Sequence, residues 1–150
     1  MNQLEMFENI CAKVESCLGW LPSTITRLSL GLFFLEIGWG KVHNFPKVIE
    51  YFTSLGIPFP ELNAHVVGFT ELTCGGLLIL GLFTRLASIP LAISMVVAVI
   101  TAKRTDISEL TDLFGISEYL YVVLLSWLTI HGPGPISLDR LLYRVLKKPA

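Results

Sequence analysis

Four long apolar stretches, separated by short polar breaks, make up most of the chain. They cover about residues 21–40, 63–83, 86–102 and 113–131. Each approaches the roughly 20 residues that a helix needs to cross about 30 Å of hydrocarbon. Lipid offers no partner to a free backbone N–H or C=O, and the stretches lack the alternation of apolar and polar residues that strands show. The pattern therefore predicts four transmembrane helices.

Three other segments are apolar on one side only. Residues 1–19 and 137–148 repeat apolar residues at helical spacing, and the connection at residues 41–62 is apolar enough to lie on the membrane as a partial lid. Three glutamates make the first segment too acidic for a signal peptide. We therefore predict one all-α domain over residues 1–150, a four-helix transmembrane bundle with amphipathic N- and C-terminal helices.

The composition supports a membrane protein. Charged residues make up 15% of the chain, whereas an ordinary soluble domain has roughly 25%. So few charges cannot cover a water-facing surface, which excludes soluble enzymes and makes membrane lipid the expected surroundings. The net charge of -1 gives no field that would attract nucleic acid.

The distribution of basic residues predicts the topology. With four spans, the side that holds both termini has six basic residues and the other side has four, so the positive-inside rule places both termini in the cytoplasm. The six are Lys13, Arg85, Arg140, Arg144, Lys147 and Lys148, and the four are Lys41, Lys47, Lys103 and Arg104.

The first predicted span has a basic residue near each end of one face. Arg27, Gly31, Phe34, Gly38 and Lys41 follow one another at steps of four, three, four and three. A charged side chain in the middle of a span costs at least about 2.5–3.5 kcal/mol, so each one needs a reason. The two glycines allow another helix to approach this face closely.

The second predicted span has an acid, Glu71, near its middle, on a helical face that continues to Arg85 at steps of three, four, three and four. This acid needs a cation or a proton. If the first two spans are antiparallel neighbours, Lys41 approaches Glu71 from one end and Arg27 from the other, and the spacing leaves open which base pairs with it. Such a pair either lines a ligand pocket or only fixes the helix register. The candidate polar cluster is Arg27, Lys41, Glu71 and Arg85, and the candidate helix-packing residues are Gly31, Gly38, Gly68, Gly75 and Gly81.

The other reactive side chains form no catalytic motif. Cys11, Cys17 and Cys74 make no C-x-x-C, and no spacing of His, Cys and carboxylates is typical of a metal centre. The sequence has no phosphate-binding loop, dinucleotide fingerprint or hydrolase motif. We therefore expect no metal and no intrinsic cofactor, and Glu71 is the best candidate for a residue that takes part in chemistry.

Three blocks of sequence resemble the DoxX family of small four-helix membrane proteins from bacteria and archaea. They match its R-x-x-x-G-x-x-F-x-x-x-G-x-x-K, its E-x-x-x-G-x-x-L-x-x-G-x-x-T-R and its G-P-G-x-x-S-x-D, and they begin at Arg27, Glu71 and Gly132. The resemblance covers about residues 27–142. It implies a multi-pass protein of the bacterial or archaeal cytoplasmic membrane.

The resemblance also suggests a redox role. The family includes a subunit of an archaeal thiosulfate:quinone oxidoreductase and a mycobacterial member linked to a membrane oxidoreductase complex. We expect a membrane subunit that binds quinone or another small apolar ligand in a polar pocket at Glu71, lined by Phe34, Trp39 and Tyr121. A soluble oxidoreductase partner would supply the electrons, so whether the chain is itself an enzyme stays open.

Two other hypotheses stay open. In one, the protein is a noncatalytic scaffold that anchors soluble oxidoreductases, and deletion of residues 1–19 abolishes function while Glu71→Gln does not. In the other, it is a small proton-coupled transporter or exporter whose flux is lost in Glu71→Gln. The glycine-rich faces would also serve a homo-oligomer if they pack between copies.

Overall fold

The computed structural model describes residues 13, 18–104, 107 and 109–146, and the regular secondary structure of these residues is entirely helical. The all-α fold class is therefore confirmed. Most of the predicted amphipathic segment at residues 1–19 lies outside the described residues. Within the described ranges the helices are α1 (Leu21–His43), α2 (Phe45–Ser54), α3 (Pro60–Leu80), α4 (Thr84–Thr101), α5 (Leu110–Gly115), α6 (Ser117–His131) and α7 (Leu138–Leu146).

The helix boundaries follow from proline and glycine. Pro60 begins α3 because its fixed φ suits a first helical turn, and Gly81 follows the helix with a φ of 68°, which ends it. The second span, predicted over residues 63–83, therefore lies three residues earlier. The fourth predicted span, 113–131, is divided, because Ile116 is extended between α5 and α6.

The long helices pack as two tight pairs, α1 with α3 and α4 with α6. A short turn at residues 81–83 joins α3 to α4 and so joins the two pairs. One hydrophobic cluster runs through all four helices, and its buried members are Leu30, Phe34, Leu78, Ala87, Leu91, Met95, Leu125 and Leu128.

The surface of the bundle is more apolar than that of a soluble protein. Leu32, Ile93, Ile100 and Ile130 are each more than half exposed, and an apolar surface of this extent suits hydrocarbon. Polar side chains lie inside instead, and those that are buried are Ser23, Thr24, Arg27, Glu71, Thr84 and Ser88.

Among the described helices, α3 and α4 are both long enough and apolar enough to cross a membrane. The helix α6 has 15 residues, fewer than the roughly 20 of a typical span. The helix α1 has 23 residues, but it carries Arg27, Glu36 and Lys41. Four crossings, and a cytoplasmic location of both termini, therefore stay predictions.

Candidate ligand site

A lysine–glutamate ion pair lies between α1 and α3. Lys41 Nζ donates a hydrogen bond to Glu71 Oε1 over 2.6 Å. The Glu71 side chain is 1% exposed and the Lys41 side chain is 23% exposed. The spacing left Arg27 and Lys41 as possible partners of Glu71, and the structure pairs Glu71 with Lys41. Of the two paired side chains, Lys41 is the one that reaches the surface.

Close contact between the backbones of α1 and α3 makes this pair possible. A Cβ atom added to Gly38 would overlap the backbone of Leu72, and one added to Gly75 would lie 2.6 Å from the Leu35 nitrogen. Gly31 is similarly enclosed by the next turn of α3. The facing residues run in opposite directions along the two helices, so the helices are antiparallel, and the lysine reaches the acid across a very short gap.

The two remaining candidate packing glycines have other surroundings. A Cβ added to Gly68 would lie 3.2 Å from the Phe45 ring and 3.5 Å from Lys41 Cβ, so α2 and the ion pair fill this space. Gly81 lies beyond the end of α3, where its positive φ closes the helix and the Arg27 guanidinium packs against it. The prediction that Gly81 packs two helices together is therefore corrected, because α3 ends one residue before it.

The ion pair has hydrogen-bonding capacity that its own contact leaves unused. Glu71 Oε2 is buried and has no hydrogen-bond partner within the described residues. A lysine ammonium carries three N–H donors, and Lys41 directs one of them at the acid. The partly exposed Lys41 can therefore donate to a ligand carbonyl, whereas Glu71 Oε2 is enclosed and can accept a hydrogen bond only from a group that enters the gap between α1 and α3.

Arg27 lies near the opposite end of α1, about 21 Å from Lys41 by helical rise. Its Nη2 donates to the Ile136 carbonyl over 2.9 Å, and Ser23 Oγ donates to the carbonyl of the first glycine of the G-P-G segment over 3.1 Å. The segment therefore closes this end of the bundle. The predicted polar cluster is divided, because antiparallel packing brings Glu71 beside the other end of α1.

Arg85 is also far from the acid. It is an exposed residue in the first turn of α4, and its guanidinium passes beside Gly132. Helical spacing linked it to Glu71 in the sequence, but α3 ends at Leu80 and the chain turns before α4 begins. The spacing therefore does not apply across the turn, and Arg85 is no part of the ion-pair site.

Asp139 joins α7 to the start of α4. Its two carboxylate oxygens accept the backbone N–H groups of Phe83 and Thr84 over 2.8 and 3.2 Å. Its own backbone N–H donates to the Gly81 carbonyl over 3.0 Å. An acid suits this place because the first N–H groups of a helix lack intrahelical partners. Sequence reasoning missed this role, since the cap and the helix are more than 50 residues apart.

Replacing Asp139 with alanine should lower the free energy of unfolding by about 1–2 kcal/mol, because the start of α4 loses its cap. Thermal unfolding of the purified protein in detergent measures this change. Glu50→Ala, an exposed acid on α2, is the control and should unfold at the wild-type temperature. Equal unfolding temperatures for Asp139→Ala and Glu50→Ala would contradict the assignment.

The three aromatic side chains predicted to line a ligand ring do not share one site. Phe34 is fully buried in the core, with its ring centroid 6.3 Å from that of Tyr121. Trp39 is 60% exposed and packs on His43 with the ring centroids 4.2 Å apart. Trp39 is two residues before Lys41 on α1, so its side chain points away from the side of the helix that holds Lys41.

The predicted lid contains a helix, α2, which packs over the first turns of α3. The Phe45 ring stacks on His65 with the centroids 4.0 Å apart. Apolar residues at positions 45, 48, 49 and 52 follow the spacing of an amphipathic helix, so the sequence carried a signal for it. A cavity of about 590 Å³ lies beside this contact, lined by Ile49, Phe59, Pro60, Glu61, Leu62 and His65.

Other reactive groups add no second centre to the part of the chain that the structure describes. No group of three His, Cys, Asp or Glu side chains there is arranged to hold a metal ion. Cys74 is a free, half-buried thiol packed against the hydrophobic cluster. Cys11 and Cys17 lie outside the described residues.

Comparison with known proteins agrees with the polar pattern of α1 and α3. The family profile described as DoxX matches residues 23–104, more than half of the chain. The chain belongs to the DoxX family. The fold of this DoxX protein is therefore that of an all-α membrane bundle, and its surroundings are membrane lipid.

Three relatives of this DoxX protein extend the match. Rv3486, an uncharacterized membrane protein of Mycobacterium tuberculosis, is 35% identical over 79% of this chain and 80% of its own length. The inner membrane protein YphA of Escherichia coli is 33% identical over 93% of this chain and 99% of its own length. CatD of Bacillus subtilis is 28% identical over 83% of this chain and 89% of its own length. Its name assigns it only provisionally to the oxidoreductases. No solved structure matches the chain at a significant level.

Proposed function

We propose that this protein is a membrane subunit of a redox system and that it binds quinone, or another small apolar molecule with a carbonyl group, beside Lys41 and Glu71. The observation that carries the proposal is the ion pair with a buried acid and a partly exposed base. Its acid is buried with one oxygen unpartnered, and its base reaches the surface. The name of the relative CatD supports a redox context.

The ion pair has the groups needed to bind both redox forms of such a ligand. The ammonium of Lys41 donates to the carbonyl of the oxidised form. Glu71 Oε2 accepts a hydrogen bond from the hydroxyl of the reduced form when that hydroxyl enters the gap between α1 and α3. Conversion of a quinone to a quinol takes up two electrons and two protons. The Lys41 ammonium would give one proton to the ligand oxygen that it contacts and be protonated again from water, and water would give the second proton to the other oxygen.

The electrons must come from another protein. The sequence contains no signature for a flavin, haem or iron–sulfur cluster, and cofactors of these kinds carry such electron transfer. We therefore propose a soluble oxidoreductase as partner, with this chain catalytic only as part of the complex. A position in the bacterial or archaeal cytoplasmic membrane with both termini in the cytoplasm fits the basic-residue count and the name of YphA.

The packing glycines bear on the predicted homo-oligomer. Gly31, Gly38 and Gly75 are already used between α1 and α3 of the same chain. They are therefore not available for contact between copies, and an oligomer would have to use another face.

Binding of decylubiquinone to the purified protein tests the proposed site. We expect saturable quenching of tryptophan fluorescence in the wild type, because Trp39 is exposed and lies only two residues from Lys41 along α1, within quenching range of a quinone bound there. Glu71→Gln should bind at least about tenfold more weakly, the effect of losing roughly one charge-assisted hydrogen bond. Glutamine keeps the volume and an acceptor for Lys41, so the bundle should stay folded.

The control for this titration is Glu36→Gln, which removes an exposed acid of α1. It should bind as the wild type does. If folded Glu71→Gln also binds as the wild type does, the ion pair is architectural and the ligand site is wrong. Solute flux that follows a pH gradient and is lost in Glu71→Gln would instead favour the transporter, and function lost only on deletion of residues 1–19 would favour the scaffold.

A further inference from the structure

A second cavity, at the opposite end of the bundle from the ion pair, is lined by three arginines. It has a volume of about 480 Å³ and lies between the α1–α3 pair and α7. This volume lies within the range of roughly 300–1,000 Å³ that is typical of ligand sites. Its walls include Arg27, Arg140 and Arg144 together with the apolar side chains of Leu80, Ile136 and Leu141.

Arg27 at the inner wall is buried without a full set of partners. Its side chain is 3% exposed, and its Nε and Nη1 have no hydrogen-bond partner within the residues that the structure describes. A buried guanidinium normally has its donors paired, because unpaired donors are costly. The nearby acid is Asp139, and both of its carboxylate oxygens already accept hydrogen bonds from backbone N–H groups at the start of α4.

The other two arginines present positive charge at the mouth of the cavity. Arg140 and Arg144 are exposed and lie four residues apart on α7, so they project from the same side of that helix. Within the residues that the structure describes, neither arginine forms an ion pair with an acid; the ion pair found there joins Lys41 and Glu71. The cavity therefore combines a positive mouth with apolar walls.

We propose that this cavity binds the phosphate headgroup of an anionic phospholipid. The planar guanidinium groups of the three arginines suit phosphate oxygens, and the apolar side chains of Leu80, Ile136 and Leu141 provide contact for the start of an acyl chain. An amphipathic helix such as α7 lies in the membrane interface, where such headgroups are found. This site is independent of the proposed redox ligand, which binds near the other end of α1.

Native mass spectrometry of the detergent-purified protein tests the proposal, with dioleoylphosphatidylglycerol as the probe and dioleoylphosphatidylcholine as the neutral comparison. We expect one tightly bound phosphatidylglycerol and markedly weaker binding of phosphatidylcholine. The double variant Arg140→Gln with Arg144→Gln should bind phosphatidylglycerol about 30-fold more weakly, since each basic residue near a membrane surface contributes roughly a factor of five. Both side chains are exposed, so this variant should fold.

The matched control removes two exposed charges from other parts of the protein, Lys47→Gln with Arg104→Gln, and should bind phosphatidylglycerol as the wild type does. Equal affinity for the two lipids, or unchanged binding by the α7 double variant, would overturn the proposal. Displacement of the lipid by millimolar inorganic phosphate would also overturn it, because the site would then recognise the free ion.

Discussion

Replacement of Lys41 by methionine should lower the free energy of unfolding by about 3–5 kcal/mol, the range measured when one partner of a buried ion pair is removed. Methionine fills a similar volume but leaves the carboxylate of Glu71, with its side chain 1% exposed, without a cation. Thermal and denaturant unfolding in detergent both measure this loss.

The double variant Lys41→Met with Glu71→Gln should recover most of the lost stability, because the uncompensated buried charge is then gone. Lys47→Met is the control, since Lys47 is an exposed lysine on α2, and it should unfold as the wild type does. A Lys41→Met protein as stable as this control would show that the ion pair is not buried as described.

Substitution of Gly38 by alanine should destabilise the protein by about 1–3 kcal/mol, the usual cost of overpacking a tight contact. The added Cβ would overlap the backbone of Leu72, and a backbone cannot rotate away as a side chain can. The helices α1 and α3 would have to separate, which would also lengthen the contact between Lys41 and Glu71.

Gly40 provides a matched control on the same helix. A Cβ added there meets nothing within 4 Å, so Gly40→Ala should be neutral or slightly stabilising, because alanine favours a helix more than glycine does. Unfolding temperatures in detergent compare the two variants directly. Equal effects of Gly38→Ala and Gly40→Ala would contradict the close packing of α1 on α3.

Much of the fold could be predicted from the sequence, because helical periodicity and apolar length are local properties. The spacing of Gly31, Gly38 and Lys41 correctly placed these residues on one face of α1. The spacing of Glu71 and Arg85 was misleading, since periodicity holds only within one helix and the positive φ at Gly81 ends α3 between them.

The division of the polar cluster could not be predicted, because it depends on how far the helices slide past each other. Antiparallel packing made both Arg27 and Lys41 reasonable partners for Glu71. The register that the glycines fix brings Lys41 to the acid and leaves Arg27 to bind the Ile136 carbonyl. The cap formed by Asp139 on α4 is a contact between distant segments, and no pattern within either segment indicates it.

The most direct test of the proposed function is mass spectrometry of the organic extract from protein purified in native-lipid particles. Wild type, Glu36→Gln and Glu71→Gln are compared after each has been shown to be folded. We expect near-stoichiometric quinone with the wild type and with Glu36→Gln, and only background quinone with Glu71→Gln. The same low background in all three proteins would contradict a quinone site at Lys41 and Glu71.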